Sequence, residues 1–134
     1  MRTTKYILIP GLALFVLFAF TYTPQSEKWV VPANFKTMKN PVAKSGESLE
    51  IGEELYMQHC KSCHGKEGLG DGPKAADQKG DLGDFSDAKF QAQTDGELFY
   101  KTKEGRDDMP GFAKKIPDNE DLWSVVNFIR TLKQ

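Results

Sequence analysis

Cysteine and histidine are scarce in this chain: its 134 residues contain two of each. A structural zinc ion held by such side chains would need His59, Cys60, Cys63 and His64 together. Four ligands within six consecutive residues can hardly close a tetrahedron around one ion. An excess of charge of one sign is missing too. The chain has 18 Lys and Arg against 19 Asp and Glu; without Arg2 and Lys5 the remainder is 16 against 19, a formal −3. That balance excludes the basic face of a nucleic-acid binder and gives no general reason to bind anionic lipid. There is no internal repeat, no low-complexity tract and no alternating strand pattern.

What the chain does have is Cys60-Lys61-Ser62-Cys63-His64, a C-x-x-C-H run that uses both cysteines and one of the histidines. Two thiols at that spacing can add across the two vinyl groups of a haem and form thioethers. The histidine that follows then stands where its imidazole can ligate the iron from one face. A thioredoxin-like C-x-x-C belongs in a βαβ context that is not in evidence here. A disulfide across two intervening residues would gain little loop entropy. Covalent haem c, one per chain, is therefore the expected cofactor.

The organisation follows from one apolar run and a set of prolines. After Met1-Arg2-Thr3-Thr4-Lys5, the segment Tyr6 to Tyr22 is apolar except at Pro10, Gly11 and Thr21. A short positive start before an apolar stretch marks residues 1–22 as a membrane anchor or a signal peptide. As one helix the 17 residues from Tyr6 to Tyr22 reach about 26 Å, a little short of a bilayer core. Ala19-Phe20-Thr21 is a poor cleavage site, and on that ground a retained anchor is favoured, with Arg2 and Lys5 inside and the rest outside the cytoplasm. Residues 23–44 carry Pro24, Pro32 and Pro41 and no helical period. They are expected to be an extended linker pinned to the domain by Trp29, Val30, Val31 and Phe35. The globular domain runs over 45–134, small enough for a haem to supply much of its centre.

Three helices are expected in that domain. Ser48 is the N-cap expected for the first, which passes through Ile51, Leu55 and Tyr56 into the cysteine motif. Gly52 falls mid-helix, where it costs about 1 kcal/mol against Ala, and so points to another helix crossing closely. Its expected partner is the last helix, from Asp118 onward, with Leu122, Trp123, Val126, Phe128 and Ile129 at three- and four-residue steps. Trp123 and Phe128 are expected to face Gly52 and Tyr56. Thr94-Asp95-Gly96-Glu97 has the form of a capping box and opens a helix that ends at Gly105. Between them, Gly65 to Asp87 is a long glycine-rich loop suited to wrapping a haem edge.

The second face of the iron needs a ligand, and four side chains compete. His59 and Met57 precede Cys60 on the same helix and cannot reach round to the opposite face. Met38 lies in the linker. Met109 stands in Asp107-Asp108-Met109-Pro110-Gly111-Phe112, 45 residues beyond His64, in a polar loop stiffened by Pro110. A methionine in such a loop is poorly explained as core filler, and Met109 is the expected ligand. A backbone carbonyl near Gly72-Pro73 is the expected acceptor for the second N–H of His64.

These pieces resemble the small single-haem class I cytochromes c of bacteria. The resemblance is carried by Gly52-x3-Tyr56-x3-Cys60-x2-Cys63-His64-Gly65, Gly70-Asp71-Gly72-Pro73, Asp95-Gly96-Glu97-Leu98, Met109-Pro110-Gly111-Phe112 and Leu122-Trp123-x2-Val126-Asn127-Phe128-Ile129-Arg130. It covers nearly all of 45–134 in order, and Trp29-Val30-Val31-Pro32 with Lys39-Asn40-Pro41-Val42 resembles the lead-in of some members. It implies an all-α fold with the first and last helices crossing around one haem. It also implies Cys60 and Cys63 as thioether sites, His64 and Met109 as iron ligands, and Arg106 and Trp123 as candidates near the propionates. The function implied is one-electron transfer outside the cytoplasm between redox protein partners, with no catalysis of its own. A fixed subunit of a larger membrane oxidoreductase is the alternative.

Overall fold

Helix ends in this protein are written by side-chain oxygens. In the computed structural model, which describes residues 28–134, α1 spans Ala33–Lys36, α2 Gly46–His59, α3 Lys61–His64, α4 Ala88–Gln91, α5 Asp95–Glu104 and α6 Asn119–Ile129. A single 3₁₀ turn, Ala75–Asp77, interrupts the loop between α3 and α4. No strand occurs among the described residues; the one bridge joins Arg106 and Met109. The apolar run Tyr6–Tyr22 lies outside the described residues.

Thr94 caps α5 as expected: its hydroxyl accepts from Glu97 N–H, and the Glu97 carboxylate accepts from Thr94 N–H at 2.9 Å. Asp118 caps α6 through a 2.8 Å bond from Glu120 N–H, and Glu120 and Asp121 place negative charge on the positive end of that helix. The cap of α2 is Ser45 and not Ser48. Ser48 is the third helical residue, and its hydroxyl accepts from Ser45 N–H at 3.0 Å while Ser45 Oγ accepts from Ser48 N–H. A serine thus takes the part that glutamate plays in the familiar box, so the helix begins three residues earlier than expected.

The core lies where α2, α5 and α6 meet. Tyr56, Leu122, Val125 and Val126 are fully enclosed, with Leu98, Phe99, Phe112, Ile116 and Phe128 around them. Each such side chain taken from water stabilises by roughly 1.5–3 kcal/mol before entropy is counted. The crossing of α2 and α6 is made at Gly52. A Cβ there would run into the Ser124 carbonyl and come within 3.0 Å of Phe128 Cβ. Tyr56 packs on Phe128 with ring centroids 5.2 Å apart. Trp123, expected on the same crossing, faces α5 instead and stacks on Phe99 at 4.0 Å, which takes it into the core.

Residues 28–44 lie along this bundle. Val31 is 3% exposed, and Phe35 packs on Tyr100 of α5 at 4.8 Å. Gly96 allows the approach, since a Cβ there would collide with the Phe35 carbonyl. Further on, Asn40 Nδ2 donates to the Trp123 carbonyl at 3.2 Å and to Asn127 Oδ1 at 2.9 Å, and Asn127 Nδ2 donates to the Val42 carbonyl at 3.1 Å. Two details differ from expectation. Val30 is 82% exposed and pins nothing, and the turn of helix α1 follows Pro32, whose fixed φ suits a helix start.

Candidate haem site

Cys60 ends α2 and begins the next turn. As the C-cap of α2 it donates its N–H to the Tyr56 carbonyl at 2.8 Å, and its own carbonyl accepts from His64 N–H at 3.0 Å. The helical turn α3 therefore presents Cys60, Cys63 and His64 on one short piece of backbone. The Tyr56 hydroxyl fastens this turn from beneath by donating to the Gly65 carbonyl at 2.8 Å. Burial, with the Cys60 thiol nearby as a lesser cause, raises the Tyr56 hydroxyl well above its ordinary range, so it stays a donor at every working pH.

The two thiols are not joined to each other. Cys60 is buried and its pKa is pushed up to about 12, by burial first and by Cys63 second; Cys63 is half-buried. His64 is 9% exposed, and burial lowers its pKa against a smaller opposing pull from the Leu82 carbonyl. That direction favours the neutral imidazole, the form that can give a lone pair to a metal. The acceptor beside its Nδ1 is the Leu82 carbonyl at 3.2 Å, not a carbonyl of the Gly72-Pro73 pair. Gly72 serves the turn in another way, donating its N–H to the Cys63 carbonyl at 3.1 Å.

Phe85 completes this side. Its ring lies 4.6 Å from His64, 6.4 Å from Tyr56 and 4.3 Å from Phe90, so the histidine stands against an aromatic wall. Neither Leu82 nor Phe85 was expected at the site. The available signal was Phe85 itself, a large apolar residue stranded in a run of glycines and aspartates.

Met109 stands on a separate element. Arg106 N–H donates to the Met109 carbonyl at 2.8 Å and Met109 N–H donates back to the Arg106 carbonyl at 2.9 Å, closing a tight turn over Asp107 and Asp108. Asp107 adopts φ 52°, a left-handed conformation that Asp tolerates better than most residues. Met109 is partly buried against the same core that holds Cys60 and Phe112. Of the rival side chains, Met38 is exposed, His59 packs on Phe112 at 5.8 Å, and Met57, like Met109, packs against the core. Of the two propionate candidates, Trp123 is enclosed in the core and Arg106 lies over the ring of Trp29.

Residues 47–129 match the family model described as cytochrome c oxidase, cbb3-type, subunit III. The chain belongs to this family. It has the all-α fold of a small class I cytochrome c. Among solved structures, the chain is 28% identical to one in the Kuenenia stuttgartiensis reducing HAO-like protein complex Kustc0457/Kustc0458. That match has a TM-score of 0.62 and covers 70% of this chain and 47% of the other, so this chain spans about half its relative's length. It is also 30% identical to the KustC0563 c-type cytochrome, with a TM-score of 0.54, covering 62% of this chain and 98% of that one. No curated protein sequence matches.

A cytochrome c domain carries covalent haem c and works by haem-based electron transfer, and such domains are typically extracytoplasmic. The residues present fit the group: two thiols free of each other, a buried imidazole and an aromatic wall beside it. Among the described residues no helix of this cytochrome is long and apolar enough to cross a membrane.

Proposed function

We propose that this cytochrome carries one electron at a time on a single haem c, attached through Cys60 and Cys63 and ligated by His64 and Met109. When bound, the haem supplies the iron that gains and loses the electron. His64 and Met109 would hold that iron between them, and with both bound it would keep no open site for oxygen, peroxide or substrate. With its Nδ1–H donated to the Leu82 carbonyl, which would fix the tautomer and the ring's orientation, His64 would have Nε2 available for the metal. A neutral thioether from Met109 favours the reduced state and a comparatively high potential.

The observation that supports this reading is a buried His64 with its Nδ1 3.2 Å from the Leu82 carbonyl, beside a Met109 partly buried against the same core on a turn closed by Arg106. Its setting is the outer face of the cytoplasmic membrane. There the chain is anchored through residues 1–22 or released, and it passes electrons between redox enzymes. A second reading has its own support. The family's description names an oxidase subunit, and one relative belongs to a protein complex, so a fixed subunit of a larger oxidoreductase is the alternative to a mobile carrier. Purification from native membranes under mild detergent separates the two: a carrier elutes alone, while a subunit elutes with stoichiometric partners. Intact mass of the purified chain tests the cofactor. The expected result is polypeptide plus one haem, and a mass without haem overturns the reading.

A further inference from the structure

Trp29 is distant in sequence from the haem motif but lies against the methionine turn. The Arg106 guanidinium carbon stands 4.7 Å from the centroid of the Trp29 ring, and Lys101 Nζ stands 5.4 Å away. The negative face of an indole attracts such cations, more strongly as water is excluded, and both Trp29 and Arg106 are half-buried. Arg106 is also the opposite member of the bridge that sets the Met109 backbone, with bonds of 2.8 and 2.9 Å. The residue that Trp29 holds is thus the one that shapes the methionine turn. On the other side of the same turn, Asp108 Oδ2 accepts from Lys79 N–H at 2.9 Å.

Trp29 is itself well placed to hold. Two residues on, Val31 is buried, and Phe35 is seated on α5 where Gly96 admits its carbonyl. The segment from Trp29 to Asn40 is therefore a strap, fixed along α5 and α6, whose Trp29 end reaches Arg106 at the loop carrying Met109.

We propose that Trp29 is a positioning residue for Met109, acting through Arg106 to keep the thioether sulfur on the iron. The inference rests on Met109 being the ligand. An exogenous ligand reaches the ferric iron only in the fraction of molecules whose sulfur is off, so its apparent affinity rises in proportion to that fraction.

The test is cyanide titration of the ferric holoprotein, followed optically, in wild type, Trp29→Ala, Trp29→Phe, Arg106→Gln, Met109→Ala and the Trp29→Ala/Arg106→Gln pair. Trp29→Ala should bind cyanide roughly five-fold more tightly, the factor that an ordinary cation–ring contact carries. Trp29→Phe should restore part of the difference. The double variant should fall short of the sum of the two single effects, because both changes remove the Trp29–Arg106 contact, although Arg106→Gln also removes the 3.0 Å ion pair with Asp107 and Trp29→Ala the contact with Lys101. Amide hydrogen exchange should quicken at Arg106 and Met109 in Trp29→Ala while α2 and α6 stay protected. Equal cyanide affinity in wild type and Trp29→Ala, with Met109→Ala much tighter, overturns the positioning role and leaves the ligand standing. Exchange quickened throughout the domain makes the strap a general brace and also overturns it. If Met109→Ala leaves cyanide affinity unchanged, the ligand reading fails and this inference fails with it.

Discussion

Gly52 on α2 rests directly on the Ser124 carbonyl of α6, with no room for a Cβ between them. Because the obstacle is backbone, it cannot swing aside as a side chain would. Gly52→Ala gains up to about 1 kcal/mol in helix propensity, but overpacking of this kind typically costs about 1–3 kcal/mol. The expected result is a net fall in stability, larger for Gly52→Leu. Thermal and urea midpoints of the holoprotein measure it, and an unchanged midpoint would show that the two helices do not cross closely.

Tyr56→Phe should destabilise the domain while leaving haem attachment intact. The change removes a 2.8 Å bond and leaves the Gly65 carbonyl without its buried donor, at a cost of about 1–3 kcal/mol. Urea denaturation gives the size of the loss. A variant as stable as wild type would mean that this hydroxyl does not fasten the cysteine turn.

The crossing and the caps differ in how legible they were. The box at Thr94 and the cap at Asp118 are local, written within three residues, and the helices they open start where the sequence places them. The α2 start was misplaced because Ser45 and Ser48 are both competent caps, and their reciprocal bonding lacks the acidic residue that usually marks the box. Gly52 signalled a close crossing by its helix cost alone, but the choice of Ser124 over Trp123 depends on how α6 is rotated by its contact with α5. The haem motif is contiguous and was read directly. Leu82 could not be: its carbonyl reaches His64 from 18 residues away by closure of an aperiodic loop, which leaves no pattern in the chain. The clamp of Trp29 on Arg106 is hidden for the same reason.

Replacing both Cys60 and Cys63 by Ala should abolish covalent haem and, with it, much of the domain's hydrophobic centre. Haem-stained denaturing electrophoresis reads this directly. Stain remaining with the double variant would contradict thioether attachment at these positions.

Met109→Ala should retain the covalent haem and open the sixth position. Loss of a partly buried methionine from a core costs about 2–5 kcal/mol, so the thermal midpoint should fall as well. The near-infrared sulfur-to-iron band of the ferric protein should vanish in this variant and persist in Met38→Ala, whose side chain is exposed. The reverse pattern would make Met38 the ligand.

The central claim is a haem closed on both faces, and the optical spectrum of the purified protein with and without carbon monoxide tests it most directly. The account predicts a sharp α band in the dithionite-reduced protein that carbon monoxide does not alter. A shift of the reduced spectrum on adding the gas would reveal an open iron and contradict the assignment of an electron carrier.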